Sequence, residues 1–203
     1  MKLYYAPGAC SLIVHIMLNE LGLPAEFEKV DLKVKKTETG ADYYTINPKG
    51  AVPALALDNG EMLTENAIIL QYLADHYKKT DLLPPVGDFQ RYHVLETMNF
   101  ITTDIHKSFG PLFSPDVPQE LKEKVFIPNL EKKFTFLDGR LAGHDFIMSD
   151  HLTLPDIYLF VMLTWLNAFK VPLTNWKNLP RFYEMMKARP SVQKSLQEEG
   201  LKY

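Results

Sequence analysis

An α/β unit followed by an all-α unit is the fold class this sequence predicts, and three observations predict it. Strand-like and helix-like patterns alternate through residues 1–80. Only helix-period apolar patterns occupy 88–203. Between them, Leu82-Leu83-Pro84-Pro85-Val86-Gly87 holds two adjacent prolines that no helix continues through. The expected division is therefore a domain at 1–80, a linker at 81–87 and a helical domain at 88–203. A chain of 203 residues can bury a core in each.

The elements follow in order. Lys2-Leu3-Tyr4-Tyr5 reads as a short strand, and Pro7-Gly8-Ala9 turns the chain out of it. Leu12, Ile13, Ile16, Met17 and Leu21 then recur at helical spacing, with Gly22 and Pro24 as the stop. Phe27 to Leu32 is extended in character, and a loop rich in lysine and threonine follows. Ala54-Leu55-Ala56-Leu57 and Glu61-Met62-Leu63-Thr64 flank Asp58-Asn59-Gly60, a hairpin signal. Glu65-Asn66 opens a helix with the apolar stripe Ile69, Tyr72, Leu73 and Tyr77. The first domain thus reads βαβ-ββα. Beyond the linker, helical runs are expected at 88–109, 119–142, 155–168 and 178–189, with short ones near the end, and Pro128 should kink or divide the second. Thr153-Leu154-Pro155-Asp156 is an N-terminal capping signature with a structural role. Ile157 to Leu163 is too short to span a bilayer and reads as a buried helix.

Composition excludes several classes of function. A net charge of −3 and a pI near 6.1 leave no basic footprint for nucleic acid or an anionic membrane. One cysteine cannot build a disulfide framework, and no Cys/His cluster has zinc-ligand spacing, so a metal-free protein in a reducing compartment is expected. The N-terminus reads straight into a strand without the apolar segment of a signal peptide, which favours the cytoplasm.

That cysteine, Cys10, lies where the first strand gives way to the first helix. Unpaired N–H groups and the positive end of the helix dipole favour a thiolate there, although a lone cysteine also serves as a small buried hydrophobe. On the first helix of the second domain, Asn99, Thr103 and His106 share one face at about 100° per residue, with Glu96 and Tyr92 nearby. These are hydrogen-bonding groups rather than the Lys/Glu mixture of a solvated face. Tyr4 and Tyr5 read as strand packing, and His15 as a packing histidine within its helix.

Five motifs in register carry a resemblance over essentially the whole chain: Pro7-Gly8-Ala9-Cys10-Ser11, Asn47-Pro48-Lys49-Gly50-Ala51-Val52-Pro53-Ala54-Leu55, Thr64-Glu65-Asn66-Ala67-Ile68, His106-Lys107 and Thr153-Leu154-Pro155-Asp156. Together they resemble the bacterial beta class of glutathione S-transferases. The resemblance implies an N-terminal thioredoxin-like domain, an all-helical glutathione S-transferase C-terminal domain carrying the electrophile pocket, and a homodimer. It implies conjugation of reduced glutathione, as co-substrate, to small hydrophobic electrophiles in detoxification. Cys10, Ser11, His106 and Lys107 are the catalytic candidates. Glutathione is expected at Cys10, Lys35, Val52, Pro53, Glu65, Asn66, Asn99, Thr103, Asp104 and His106.

Residue by residue, the implied roles make chemical sense. A cis Val52–Pro53 bond would offer the Val52 backbone to the tripeptide as an added strand. Glu65 suits an ammonium, and the helix N-terminus at Asn66 suits the γ-glutamyl carboxylate. The family usually has serine where this chain has Asn66, and asparagine still donates to a carboxylate. Lys35 resembles the residue that meets the glycyl carboxylate, or is a solvated surface charge. Gly110-Pro111-Leu112-Phe113, read as a loop, should line the electrophile pocket, with Trp165 a further candidate. Two alternatives stand beside this: a glutathione-dependent thiol:disulfide oxidoreductase or dehalogenase on the same fold, and a non-catalytic stringent-starvation-type binding protein.

Overall fold

The computed structural model describes residues 1–148 and 150–202. In chain order the principal elements are β1 Lys2–Tyr5, α1 Leu12–Glu20, β2 Glu26–Asp31, β3 Lys36–Thr37, β4 Ala54–Ala56, β5 Met62–Thr64 and α2 Asn66–His76. They continue with α3 Phe89–Phe100, α4 Gly110–Phe113, α5 Gln119–Leu121, α6 Ile127–Arg140, α7 Leu154–Leu166, α8 Leu179–Lys187 and α9 Pro190–Glu198. Two compact units result. One is Met1–Leu73 joined by the stretch from Ala188 to the C-terminus, and the other is Ala74–Lys187.

The first unit is built on a five-stranded sheet of order β3-β2-β1-β4-β5. β1 runs parallel to β2 and antiparallel to β4, and β4 and β5 form the expected hairpin, with Ala54 opposite Thr64. β3, which reads in the sequence as loop, is a two-residue strand antiparallel to β2. Its charged, threonine-rich composition hides a strand because only Thr37 turns inward.

α1 ends as its glycine requires. Gly22 has φ +65°, its N–H donates to the Asn19 carbonyl at 3.1 Å, and the Leu23 N–H reaches the Leu18 carbonyl at 3.0 Å, a Schellman closure. Every residue of α1 from Leu12 to Leu18 is buried. One apolar stripe would suffice for a helix lying on a sheet alone, so burial all round needs a second cover. That cover is α9, which packs along α1. Asn19 Nδ2 donates to Ser195 Oγ at 2.8 Å, and Arg189 and Ser191 both bind the Glu20 carboxylate. Residues 188–202 accordingly belong with the N-terminal unit and not with a helical domain running from 88 to the end.

The second unit is helical throughout its described residues. Asp88 caps α3 by accepting from the Gln90 N–H at 2.9 Å. The Arg91 guanidinium grips both oxygens of Asp75, at 2.9 and 2.8 Å. This holds the Asp75 carboxyl below the usual carboxylate range. Beyond Phe100 the run expected at 88–109 changes pitch: Ile101–His106 is π-helical and Lys107–Phe109 is a 3-10 turn. Gly110–Phe113 is then a single helical turn with proline at its start, rather than a loop. Pro128 does divide its run. A π-helical stretch at Lys122–Phe126 precedes it, and the proline falls in the first turn of α6, where a missing N–H leaves no bond unmade.

α7 is the apolar centre of this unit, buried along nearly its whole length. Its start is fixed by the capping box, with both reciprocal bonds made. The Asp156 carboxylate accepts from the Ile147 N–H at 2.7 Å, the Thr153 N–H at 2.8 Å and the Thr153 hydroxyl at 2.7 Å. Complete burial outweighs these bonds and pushes the Asp156 carboxyl up to about 6. Among the described residues, no helix is long and apolar enough to cross a membrane.

Candidate functional site

Cys10 stands two residues ahead of α1, in a loop folded back on itself. The Ala9 carbonyl accepts from the Leu12 N–H at 3.0 Å, and the Cys10 carbonyl accepts from the Ile13 N–H at 3.1 Å. The half-buried thiol lies 3.2 Å from the Val52 carbonyl oxygen, which places it between the helix N-terminus and the loop that precedes β4. Ser11, the other candidate in this turn, is fully buried, and its hydroxyl lies 3.1 Å from the Ala6 N–H and 3.3 Å from the Ala6 carbonyl. It closes the loop around Cys10 through these bonds.

The segment from Tyr43 to Pro53 is held from inside. Asn47 is buried; its amide donates to the Ala51 carbonyl at 2.7 Å, and its oxygen accepts from the Lys49 N–H at 3.1 Å. The Tyr43 hydroxyl reaches the same Ala51 carbonyl at 2.9 Å, and burial pushes it up to about 12, so it remains a donor. Gly50 has φ +60°, a conformation that favours glycine, and a Cβ there would come within 2.7 Å of the half-exposed Tyr44 ring and push it aside. The Val52–Pro53 bond is cis. Lys35, itself at φ +55°, sends its ammonium to the Gly50 carbonyl at 2.7 Å, so it anchors this turn instead of standing as a free surface charge.

At the end of β5 the chain turns sharply into α2, with Glu65 at φ +70°. The exposed Glu65 carboxylate pairs with Lys49 at 2.6 Å, and the same ammonium meets Thr64 Oγ1 at 3.0 Å. Asn66, only 5% exposed, opens the helix, and its Oδ1 is a buried acceptor with no hydrogen-bond partner. A buried, unsatisfied amide beside a helix N-terminus is an arrangement that a ligand carrying both carboxylate and ammonium would complete.

One group behind the loop carries no motif in the sequence. The buried Glu199 carboxylate, just past α9, accepts from the Gly8 N–H at 2.9 Å and lies 3.0 Å from His15 Nδ1. His15 Nε2 lies 2.8 Å from Glu198, and the imidazole stacks on Phe27 with centroids 4.0 Å apart. His15 is the packing histidine its position suggests. Glu199 was invisible because it is separated from Gly8 by almost the whole chain and sits in an ordinary Glu-Glu pair.

The remaining candidates lie in the second unit. Thr103 Oγ1 is 2.9 Å from both the Asn99 carbonyl and Asp104 Oδ2, so the hydroxyl is engaged by its own helix. The π-helical winding begins between Asn99 and Thr103, and the shared face extrapolated at 100° per residue does not continue through it. The Asp104 carbonyl accepts from Lys133 Nζ at 2.7 Å. Lys107 is exposed. His106 is the most fully built of the group: its Nδ1 is 2.7 Å from the Tyr158 hydroxyl, and its ring meets Trp165 edge-on at 5.2 Å. Trp165 continues into an aromatic cluster with Phe109, Phe113 and Phe169.

A mixed five-stranded sheet with a thiol ahead of its first helix, joined in one chain to an all-helical unit, defines a thioredoxin-like fold with a helical partner domain. Residues 8–76 match the glutathione S-transferase N-terminal domain model and 98–190 match the C-terminal domain model. The chain belongs to the glutathione S-transferase family. It is 46% identical to glutathione S-transferase GstA of Escherichia coli O157:H7 over the full length of both chains, and 37% identical to glutathione S-transferase GST-4.5 of Xanthomonas campestris pv. campestris over 99% of this chain and all of that one. Among solved structures it is similar to BphK, a bacterial glutathione S-transferase seen in a ternary complex (43% identity, TM-score 0.95, covering 99% of this chain and all of that one). It is also similar to a sphingomonad glutathione S-transferase complexed with glutathione (42%, TM-score 0.94, complete coverage of both). A beta-class enzyme from Sphingomonas chungbukensis stands in the same group, at 40% identity and TM-score 0.94 over both complete chains. The protein is a glutathione S-transferase.

Proposed function

We propose that this enzyme binds reduced glutathione on its N-terminal unit and transfers the sulfur to small hydrophobic electrophiles, in the reducing environment of the cytoplasm. The observation that carries the binding reading is Asn66: a buried amide with an unsatisfied oxygen, at the start of α2 and next to the Glu65 carboxylate. A γ-glutamyl group supplies a carboxylate for the amide N–H and the helix N-terminus, and an ammonium for Glu65 and Asn66 Oδ1. In this reading the Val52 backbone takes the peptide portion, and Lys35 and the Gly50 turn take the glycyl end.

In the chemical step the thiol loses its proton to solvent and the thiolate attacks an electron-poor carbon. With an aryl halide the carbon–sulfur bond forms as halide departs. In the first unit, Cys10 and the dipole of α1 favour the anion. In the second unit taken by itself, Phe113, Trp165 and Phe169 offer apolar surface suited to a hydrophobic electrophile, with His106 and Lys107 as its polar candidates. Isothermal titration of the wild type with glutathione tests the reading, and an absence of binding would favour a non-catalytic partner-binding protein.

The role of Cys10 separates transfer from disulfide chemistry. Cys10→Ala should abolish any mixed disulfide with glutathione yet leave measurable conjugation of 1-chloro-2,4-dinitrobenzene, since the attacking sulfur belongs to the ligand. Intact-mass spectra after incubation with oxidised glutathione check the first half. A persisting adduct, or complete loss of conjugation in a folded variant, contradicts the assignment.

We also infer a homodimer. A cavity of about 730 Å³ in the second unit, bordered by Phe100, Phe136, Lys132 and Arg140, leaves Phe136 53% exposed, an apolar face that self-association would cover. Sedimentation equilibrium returning the mass of a single chain would remove this inference.

A further inference from the structure

We propose that Lys133 is a positioning residue that governs the choice of electrophile: its ammonium, reaching from α6 to the point where the chain after α3 changes its winding, sets where Phe109 and Phe113 stand in the aromatic surface. The proposal rests on the reading given above, that Phe113, Trp165 and Phe169 receive the electrophile, and it concerns the second unit alone.

Three windings follow one another between Ile101 and Phe113: π-helical to His106, 3-10 to Phe109, then one α-helical turn. Each change alters the step between backbone donor and acceptor, so such a path is held by bonds from side chains. At the entrance those bonds are local, since the Asn99 carbonyl accepts from the hydroxyls of Thr102 at 2.8 Å and Thr103 at 2.9 Å. At the exit they come from another helix. Lys133 Nζ donates to the Asp104 carbonyl at 2.7 Å and to Ser108 Oγ at 2.7 Å, and the Ser108 hydroxyl donates to the same carbonyl. The ammonium passes over the Asp104 carboxylate, which accepts from Thr103 instead, so the contact fixes main chain and is not a charge pair.

α6 supplies the frame for this contact. Phe134, next to Lys133, is fully buried and meets the Phe109 ring edge-on at 6.4 Å, as Lys133 meets Ser108. Adjacent residues of α6 thus hold adjacent residues of the 3-10 turn, one pair through a polar bond and the other through ring packing. Phe109 is itself fully buried and passes the constraint on: its ring lies 5.2 Å from Trp165, 5.9 Å from Phe169 and 6.3 Å from Phe113. Phe113, one turn further on and 53% exposed, stands against Trp165 and Phe169 at 5.2 and 4.9 Å. Without the ammonium, the Asp104 carbonyl and the Ser108 hydroxyl lose a charge-assisted partner, and the segment is free to exchange one winding for another. A rewound turn carries every later side chain around the helix axis, so the spacing of the rings changes, and with it the shape of electrophile that fits.

In the full-length wild type, brief acetylation with acetic anhydride followed by peptide mass spectrometry should leave Lys133 protected while its exposed neighbour Lys132 is modified. Equal modification overturns the proposal, and needs no variant to fold. Lys133→Met keeps the length and removes the donor. It should raise KM for 1-chloro-2,4-dinitrobenzene several-fold with KM for glutathione little changed, and Lys133→Arg, which still donates, should recover most of the loss. Two KM values that rise together, or a rise that Lys133→Arg leaves unrepaired, make Lys133 a general stabiliser and overturn the proposal. Should Lys133→Met fail to fold, Ser108→Ala carries the same test: it removes the hydroxyl between ammonium and carbonyl, and an unchanged KM for the aryl chloride overturns the proposal there. An unchanged KM in folded Lys133→Met does so too, and Phe113→Ala then locates the failure. If Phe113→Ala raises that KM, the aromatic surface stands and only the part given to Lys133 was wrong; if it does not, the surface was never the electrophile's site.

Discussion

Glu65→Ala should weaken glutathione binding by about 2–4 kcal/mol, roughly 30- to 800-fold in Kd, while barely changing stability. The two effects separate because Glu65 has two different partners. In the free protein its carboxylate is exposed and pairs with Lys49 at 2.6 Å, a surface ion pair of the kind worth at most about 1 kcal/mol. Against a ligand ammonium in a partly desolvated site, the same carboxylate makes a charge-assisted bond whose loss also strands the ligand's charge beside Lys49. Calorimetric titration alongside thermal unfolding checks both halves. Equal affinities for wild type and variant would remove Glu65 and Asn66 from the site, and a large drop in melting temperature would make Glu65 a structural residue.

Asp156→Ala should cost about 3–5 kcal/mol of stability, because it strips the partner from two buried N–H groups and a buried hydroxyl at once and removes one half of the capping box that starts the central helix. The pH dependence has an unusual sign for a carboxylate. The folded-state value is raised from 3.8 to about 6, so the native state holds the proton more tightly than the unfolded chain. Its contribution is fully present below about pH 4 and is lost as pH rises through about 6. Asp156→Asn keeps an acceptor but cannot titrate. Compared with it, wild type should gain roughly 2–3 kcal/mol as pH is lowered from 7 to 4, the size implied by a shift of about two units. Parallel denaturant titrations across that range measure the difference. A wild-type advantage that grows instead toward high pH would show that Asp156 is better stabilised as the anion.

These two residues also illustrate what could be read in the sequence and what could not. The capping box at Thr153 and Asp156 and the turn at Glu65-Asn66 are local: each is a short pattern whose physics lies within one helical turn. The same holds for Gly22, for the hairpin at Asp58-Asn59-Gly60, and for Cys10 ahead of α1. Legibility failed in two ways. One was a change of winding: the face joining Asn99, Thr103 and His106 was extrapolated at a fixed angle per residue, and the π-helical turn after Phe100 broke it. No composition signal marks such a turn. The other was distance along the chain. Nothing near Gly8 announces Glu199, nothing near His106 announces Tyr158, and the pattern that marks α9 as helical does not say which unit it covers. The resemblance to a family named candidate residues at the site, but it did not supply the bonds of Ser11 and Lys35, which tie down the loops around that site.

The covering of α1 by α9 sets an order on how the protein comes into being. The strands of the sheet and the apolar helix between them leave the ribosome well before the helix that shields them. Until residues 190–198 have been made, one flank of Leu12–Leu18 has only water to face, and the Gly8 N–H ahead of Cys10 lacks its carboxylate. Closing so long a loop adds little to the equilibrium cost, since that cost grows only with the logarithm of loop length. The consequence is in timing: contacts of such sequence separation form late, so the thiol turn reaches its final shape only after the helical unit has already been synthesised.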